Sequence, residues 1–110
     1  GMSLRDFAKV LRIFDPDHIT VDVSFASRQT VEQFRDNLKG CLQGRNTFMV
    51  VNYLRSALGQ KGNGHFSPIG AYNSESDHVL IMDVSKYKYP PAWVKVDTLF
   101  AAMADPERGY

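Results

Sequence analysis

The sequence predicts an α+β domain in which two helices pack on a largely antiparallel sheet. Three patterns carry that expectation. Leu4, Phe7, Ala8, Leu11 and Phe14 recur at helical spacing, and Ile19, Val21, Val23 and Phe25 alternate with polar residues as a half-buried strand does. Two apolar runs flanking Asn73-Ser74-Glu75-Ser76-Asp77 read as a hairpin around a turn-forming segment.

Taken in order, Ser3 is placed to cap the first helix, and Asp15-Pro16-Asp17 stops it. The alternating strand follows over residues 19–25. Thr30-Val31-Glu32-Gln33 fits a capping box, in which the Thr30 hydroxyl and the Gln33 amide satisfy free N–H groups. The helix it opens runs to about Leu42, turns Val31, Phe34, Leu38, Cys41 and Leu42 inward, and ends at Gly44. Thr47–Leu54 is a continuous apolar run, expected to be a central strand covered on both faces. Gly59-Gln60-Lys61-Gly62-Asn63-Gly64 is a loop. Hairpin strands are expected near His65–Tyr72 and His78–Val84. Pro90-Pro91 then excludes regular structure, and a short last helix begins near Asp97 with Leu99, Phe100 and Met103. Neither a repeat nor a linker divides residues 1–110, which read as one domain.

Composition narrows the function classes. A chain of 110 residues, 44% hydrophobic and 23% charged, is ordinary globular material. Thirteen Lys and Arg against 12 Asp and Glu leave a net charge of +1, which argues for no nucleic acid and no membrane as a partner. The first residues lack the apolar core of a signal peptide, and one cysteine can form neither an internal disulfide nor a cysteine-rich metal site. These features describe a cytoplasmic protein.

The chemistry-bearing candidates centre on His65, at the mouth of the glycine-rich loop. Taken alone, it is an ordinary surface or capped histidine. The hairpin changes that reading. If Ala71 pairs with Val79, Ile69 faces Ile81 and Asp83 lies diagonal to His65 on one face, within reach of an aromatic side chain. Asp83 then accepts the Nδ1 proton and orients the imidazole, as the carboxylate of a nucleophile–His–Asp triad does. Histidine–aspartate pairs also serve as plain structural hydrogen bonds. The one thiol, Cys41, falls on the inward face of a helix, where apolar burial makes thiols inert. Ser67 lacks the elbow that exposes a nucleophilic serine. The glycine-rich loop leads into a strand rather than a helix, so it is no phosphate cradle. His18, His65 and His78 are too scattered for a zinc site. Tyr87–Trp93 is a rigid aromatic loop or a docking surface.

Three linked stretches resemble the phytochelatin synthase family: Leu58 to Tyr72 with its Gly-Asn-Gly-His-Phe-Ser-Pro-Ile-Gly core, Val79–Val84, and Lys86–Val94. The resemblance covers nearly the whole chain, because Thr30–Phe34 and Val51–Tyr53 also fit. It implies the second lobe of a papain-like catalytic domain. It also implies ping-pong acyl transfer, in which a cysteine thiolate takes the γ-glutamylcysteinyl group of glutathione, releases glycine and passes the group on. By the same resemblance His65 and Asp83 are catalytic, and Asn52 and Arg55 lie near substrate. The nucleophilic cysteine belongs to an N-terminal lobe preceding residue 1, and Cys41 does not match it. Lys86 stands where the family often has arginine, and the chain looks trimmed at both ends. No tightly bound cofactor is expected; cadmium or zinc enters as metal-thiolate substrate or activator. The chain is expected to be inactive alone, to work with a Cys-bearing lobe in trans, and to self-associate as a homo-oligomer. The alternative is a non-catalytic module that binds glutathione or a protein.

Overall fold

Helix α1 spans Leu4–Phe14 in a computed structural model that describes residues 2–60, 64–83 and 90–104. Ser3 caps it, its hydroxyl accepting from the Asp6 amide at 3.1 Å. Helix α2, Val31–Gln43, opens on the expected capping box: Gln33 N donates to Thr30 Oγ1 at 3.1 Å, and Thr30 N donates to Gln33 Oε1 at 2.9 Å. Strands β1 (Val50–Leu54), β2 (Gly64–Asn73), β3 (His78–Ile81) and β4 (Ala92–Lys95) form one antiparallel sheet in sequence order. Helix α3, Val96–Met103, follows β4 directly.

One face of the sheet carries the core. Val51, Tyr53, Ile69, Val79 and Ile81 meet Phe34 and Leu38 of α2 and Val96, Leu99, Ala102 and Met103 of α3. Tyr53, Leu38, Val79, Val96 and Leu99 are all 0% exposed. Burial of each such side chain stabilises the fold by roughly 1.5–3 kcal/mol. Helix α1 lies apart from this layer and touches the sheet's other face, where Phe7 stacks on Phe66 with ring centroids 4.6 Å apart. The two helices on the core are therefore α2 and α3.

Four expectations are corrected. Residues 19–25 alternate between half-buried and exposed positions as predicted, yet they form no strand. Alternation sets which face a residue shows but supplies no ladder partner. The run 47–54 becomes a strand only from Val50. It is an edge strand of the described sheet rather than a central one, although Val51, Asn52 and Tyr53 are buried. Strand β4 was not expected, because the Pro90-Pro91 pair stops just short of it. The hairpin keeps the predicted Ile69↔Ile81 pairing, but Ala71 pairs with Leu80 instead of Val79. A bulge between Ile69 and Ala71 absorbs one residue. Bulges recur beside active sites, where they re-aim side chains. Here the shift falls on the turn side of the bulge, so the predicted register survives toward His65. Met82 N donates to Pro68 O at 3.0 Å there.

A polar clamp holds the turn. Arg35 of α2 grips Asp77 through Nε at 2.9 Å and Nη2 at 2.7 Å, and Tyr72 Oη donates to Asp77 Oδ1 at 2.7 Å. Asp77 itself sits at φ 55°, a left-handed conformation that aspartate tolerates in turns.

Candidate functional site

His65 is the second residue of β2 and pairs with Tyr53 of β1, so the two side chains share the core face of the sheet. The Tyr53 ring stands edge-on to the imidazole, with centroids 6.0 Å apart and an interplanar angle of 88°. Asp83 lies two residues beyond the end of β3. His65 Nε2 is 3.1 Å from Asp83 Oδ1, and the two side chains are 20% and 2% exposed. The structure thus brings the two expected residues together, through Nε2 rather than Nδ1. The reason is reach: diagonal neighbours are roughly 7–8 Å apart, and Nε2 is the far nitrogen of the ring.

Arg55 completes the cluster from a 3₁₀ turn, Arg55–Leu58, that follows β1. Its side chain is 3% exposed, with Nη2 donating to Asp83 Oδ1 at 2.9 Å and Nη1 standing 2.8 Å from Asp83 Oδ2. Nη1 also donates to Gln60 Oε1 at 3.0 Å. Gly59, at φ 75°, makes the left-handed turn that presents Gln60. A side chain there would be strained.

The electrostatics follow from this packing. Burial of the ring pushes the His65 pKa below its ordinary 6.5, the Arg55 charge pushes the same way, and Asp83 opposes both. The resting imidazole is therefore neutral near pH 7. With Nε2–H directed at a carboxylate, the lone pair resides on Nδ1. Burial likewise raises the Tyr53 pKa, with its bond to Ser67 opposing.

The other candidates fall elsewhere. Asn52 is 6% exposed and pairs with Phe66, on the opposite face of β1 from His65. Ser67 is 0% exposed, with its Oγ 3.1 Å from Tyr53 Oη, so solvent and substrate do not reach it. Cys41 is half-buried rather than fully buried as expected, because α2 turns that position to the margin of the core. His18 Nδ1 is 2.8 Å from Asp15 Oδ1, and His78 Nδ1 is 2.8 Å from Ser76 O, both local contacts. Among the described residues no three His, Cys, Asp or Glu side chains are grouped to hold a metal ion. Nor is any described helix long and apolar enough to cross a membrane. Lys86 and positions 87–89 of the aromatic segment lie outside the described residues, as do positions 61–63 of the glycine-rich loop.

The sequence reading placed Arg55 beside substrate and missed its bond to Asp83. The signal was present: a charge that directly follows a buried run must find a partner.

The profile described as phytochelatin synthase matches residues 1–109. The glutathione gamma-glutamylcysteinyltransferase 3 of Lotus japonicus is 42% identical over 102 residues, 93% of this chain and 21% of that protein. The Arabidopsis thaliana glutathione gamma-glutamylcysteinyltransferase 1 is 40% identical over 97 residues, 88% of this chain and 20% of the relative. The Schizosaccharomyces pombe glutathione gamma-glutamylcysteinyltransferase is 37% identical over 106 residues, 94% of this chain and 24% of the relative. The chain spans about a fifth of the length of these relatives.

Proposed function

The chain belongs to the phytochelatin synthase family, and we propose that it supplies the histidine–aspartate half of a γ-glutamylcysteinyl transfer site. The observation that carries this reading is the His65 Nε2–Asp83 Oδ1 contact of 3.1 Å beside the buried Arg55. A carboxylate on one ring nitrogen fixes the tautomer and leaves the other nitrogen basic, which is the arrangement a thiol nucleophile requires.

In the proposed reaction the neutral His65 ring takes at Nδ1 the thiol proton of a cysteine on a Cys-bearing lobe, and the resulting thiolate attacks the carbonyl carbon of the Cys–Gly peptide bond of glutathione. The C–N bond breaks, the His65 imidazolium gives its Nδ1 proton to the departing glycine amine, and a thioester remains. The α-amine of a second glutathione then attacks the thioester. His65 takes the amine proton and the thiolate leaves. Water in place of the amine gives hydrolysis. Asp83 steadies the imidazolium in both halves. Cadmium or zinc enters as a substrate component, carried by glutathione thiolates. Arg55, the other residue expected near substrate, grips Asp83 beside the reacting groups.

Half-exposed apolar side chains support a packed partner. Val50, Met82 and Trp93 are 39%, 38% and 52% exposed. They lie on the sheet face away from His65, so we assign this surface to a second copy of the chain, and light scattering of the chain alone reports that self-association.

The test mixes this chain with the Cys-bearing segment of a relative, glutathione and cadmium, and measures free glycine and γ-glutamylcysteine oligomers. Products are expected from the mixture, from neither part alone, and not with His65→Ala. Product formation that survives His65→Ala would overturn the reading. Glutathione binding without products would favour the non-catalytic module.

A further inference from the structure

Arg55 is a costly residue to bury. A guanidinium taken out of water forfeits several kcal/mol of hydration, and only well-placed acceptors offset that loss. At 3% exposure Arg55 has them: its two terminal nitrogens meet both oxygens of Asp83 at 2.9 and 2.8 Å, and Nη1 also reaches Gln60 at 3.0 Å. The carboxylate it grips is the one that faces His65, through the oxygen shared with Nη2. A rigid planar fork on a carboxylate fixes the plane and rotation of that carboxylate, which a point charge cannot do.

We propose that Arg55 is a positioning residue for His65, clamping Asp83 so that a single carboxylate oxygen meets Nε2 and tying that carboxylate to the glycine-rich loop through Gln60. The chain of contacts runs from Gln60 at the loop, through Arg55 on the 3₁₀ turn, to Asp83 after β3 and His65 on β2. The clamp does two things to the imidazole. It selects the Nε2–H tautomer, and it cancels much of the Asp83 charge that would otherwise make the ring more basic. Among the described residues, the titratable or charged groups that face His65 are Tyr53 from β1, Arg55 from the 3₁₀ turn and Asp83 beyond β3. Of these, Arg55 is the cation. The use of this clamp in acyl transfer rests on the function proposed above. The clamp itself is read without glutathione or a second lobe, so either can fail alone.

The experiment is a pH titration of the His65 ring by ¹H–¹⁵N NMR on the intact chain. In the wild type the neutral ring is expected as a single Nε2–H tautomer, and a mixture of tautomers would overturn the proposal. Arg55→Gln leaves the Asp83 charge uncompensated, and the proton affinity of His65 is expected to rise about tenfold or more. Arg35→Gln removes a cation that grips Asp77 instead, and is expected to leave His65 unmoved. An Arg55→Gln response no larger than that of Arg35→Gln would overturn the proposal. Should Arg55→Gln lose its near-ultraviolet circular dichroism, Arg55→Lys replaces it. Lysine keeps the charge without the fork, so it is expected to mix the tautomers while changing the proton affinity less than tenfold. A pure Nε2–H tautomer in folded Arg55→Lys would refute the clamp.

Discussion

Removing the Tyr53 hydroxyl should expose how tightly the strand pair beneath the site depends on one internal hydrogen bond. Tyr53 and Ser67 are both 0% exposed, and their hydroxyl oxygens are 3.1 Å apart. In Tyr53→Phe the aromatic ring remains against His65, but the Ser67 hydroxyl is left in a dry core with no partner. An orphaned buried hydroxyl costs about 1–3 kcal/mol, more than the net contribution of the bond itself. Ser67→Ala does the same to the Tyr53 hydroxyl. The double variant removes both groups and leaves no orphan, so its cost should be close to that of one single variant. The coupling then equals the cost of one single variant, about 1–3 kcal/mol, in the range expected for directly bonded partners. Urea denaturation measures it. With m near 1–3 kcal/mol/M, each single variant should lower the midpoint by roughly 1 M at unchanged slope. If the double variant cost the sum of the two singles, the bond would contribute nothing and the reasoning would fail.

Three further outcomes are expected. Leu38→Ala empties a fully buried position between α2 and the sheet and should cost about 2–5 kcal/mol by chemical denaturation, with a smaller loss indicating that the core collapses around it. Thr30→Ala removes the hydroxyl half of the capping box and should cost about 1 kcal/mol; an unchanged midpoint would mean that water replaces the cap. The third concerns pH: the His65 pKa is lowered in the folded chain, so below about 6.5 the unfolded chain binds more protons. His65 therefore gives its full contribution above that pH and loses it as pH falls, and thermal melts from pH 8 to 5 should decline less steeply for His65→Asn than for the wild type.

What the sequence made legible was local or periodic. The caps of α1 and α2 were readable because each is a contract between residues three apart. The His65–Asp83 pairing was readable because the alternation of Ile69 and Ile81 set the face. The missing pieces needed partners that no local pattern names. Residues 19–25 alternate as a strand would, yet nothing among the described residues pairs with them. Strand β4 begins immediately after Pro90-Pro91, and the proline signal masked it. The bulge at Gly70 moves Ala71 onto Leu80 without altering the polar–apolar alternation nearer the site. Arg55 enters the sequence reading only through the family resemblance; its 3% exposure and its grip on Asp83 are set by tertiary packing that no local pattern names.

The central claim is that His65 serves as the base for covalent chemistry on the cysteine of a Cys-bearing lobe. The most direct test is intact-mass spectrometry of a Cys-bearing segment from a relative, incubated with glutathione in the presence of this chain. The account predicts a γ-glutamylcysteinyl adduct on that segment with the wild-type chain, and none with His65→Ala. Adduct formation at the same rate with His65→Ala, or none in the presence of a wild-type chain that binds the segment, would contradict it.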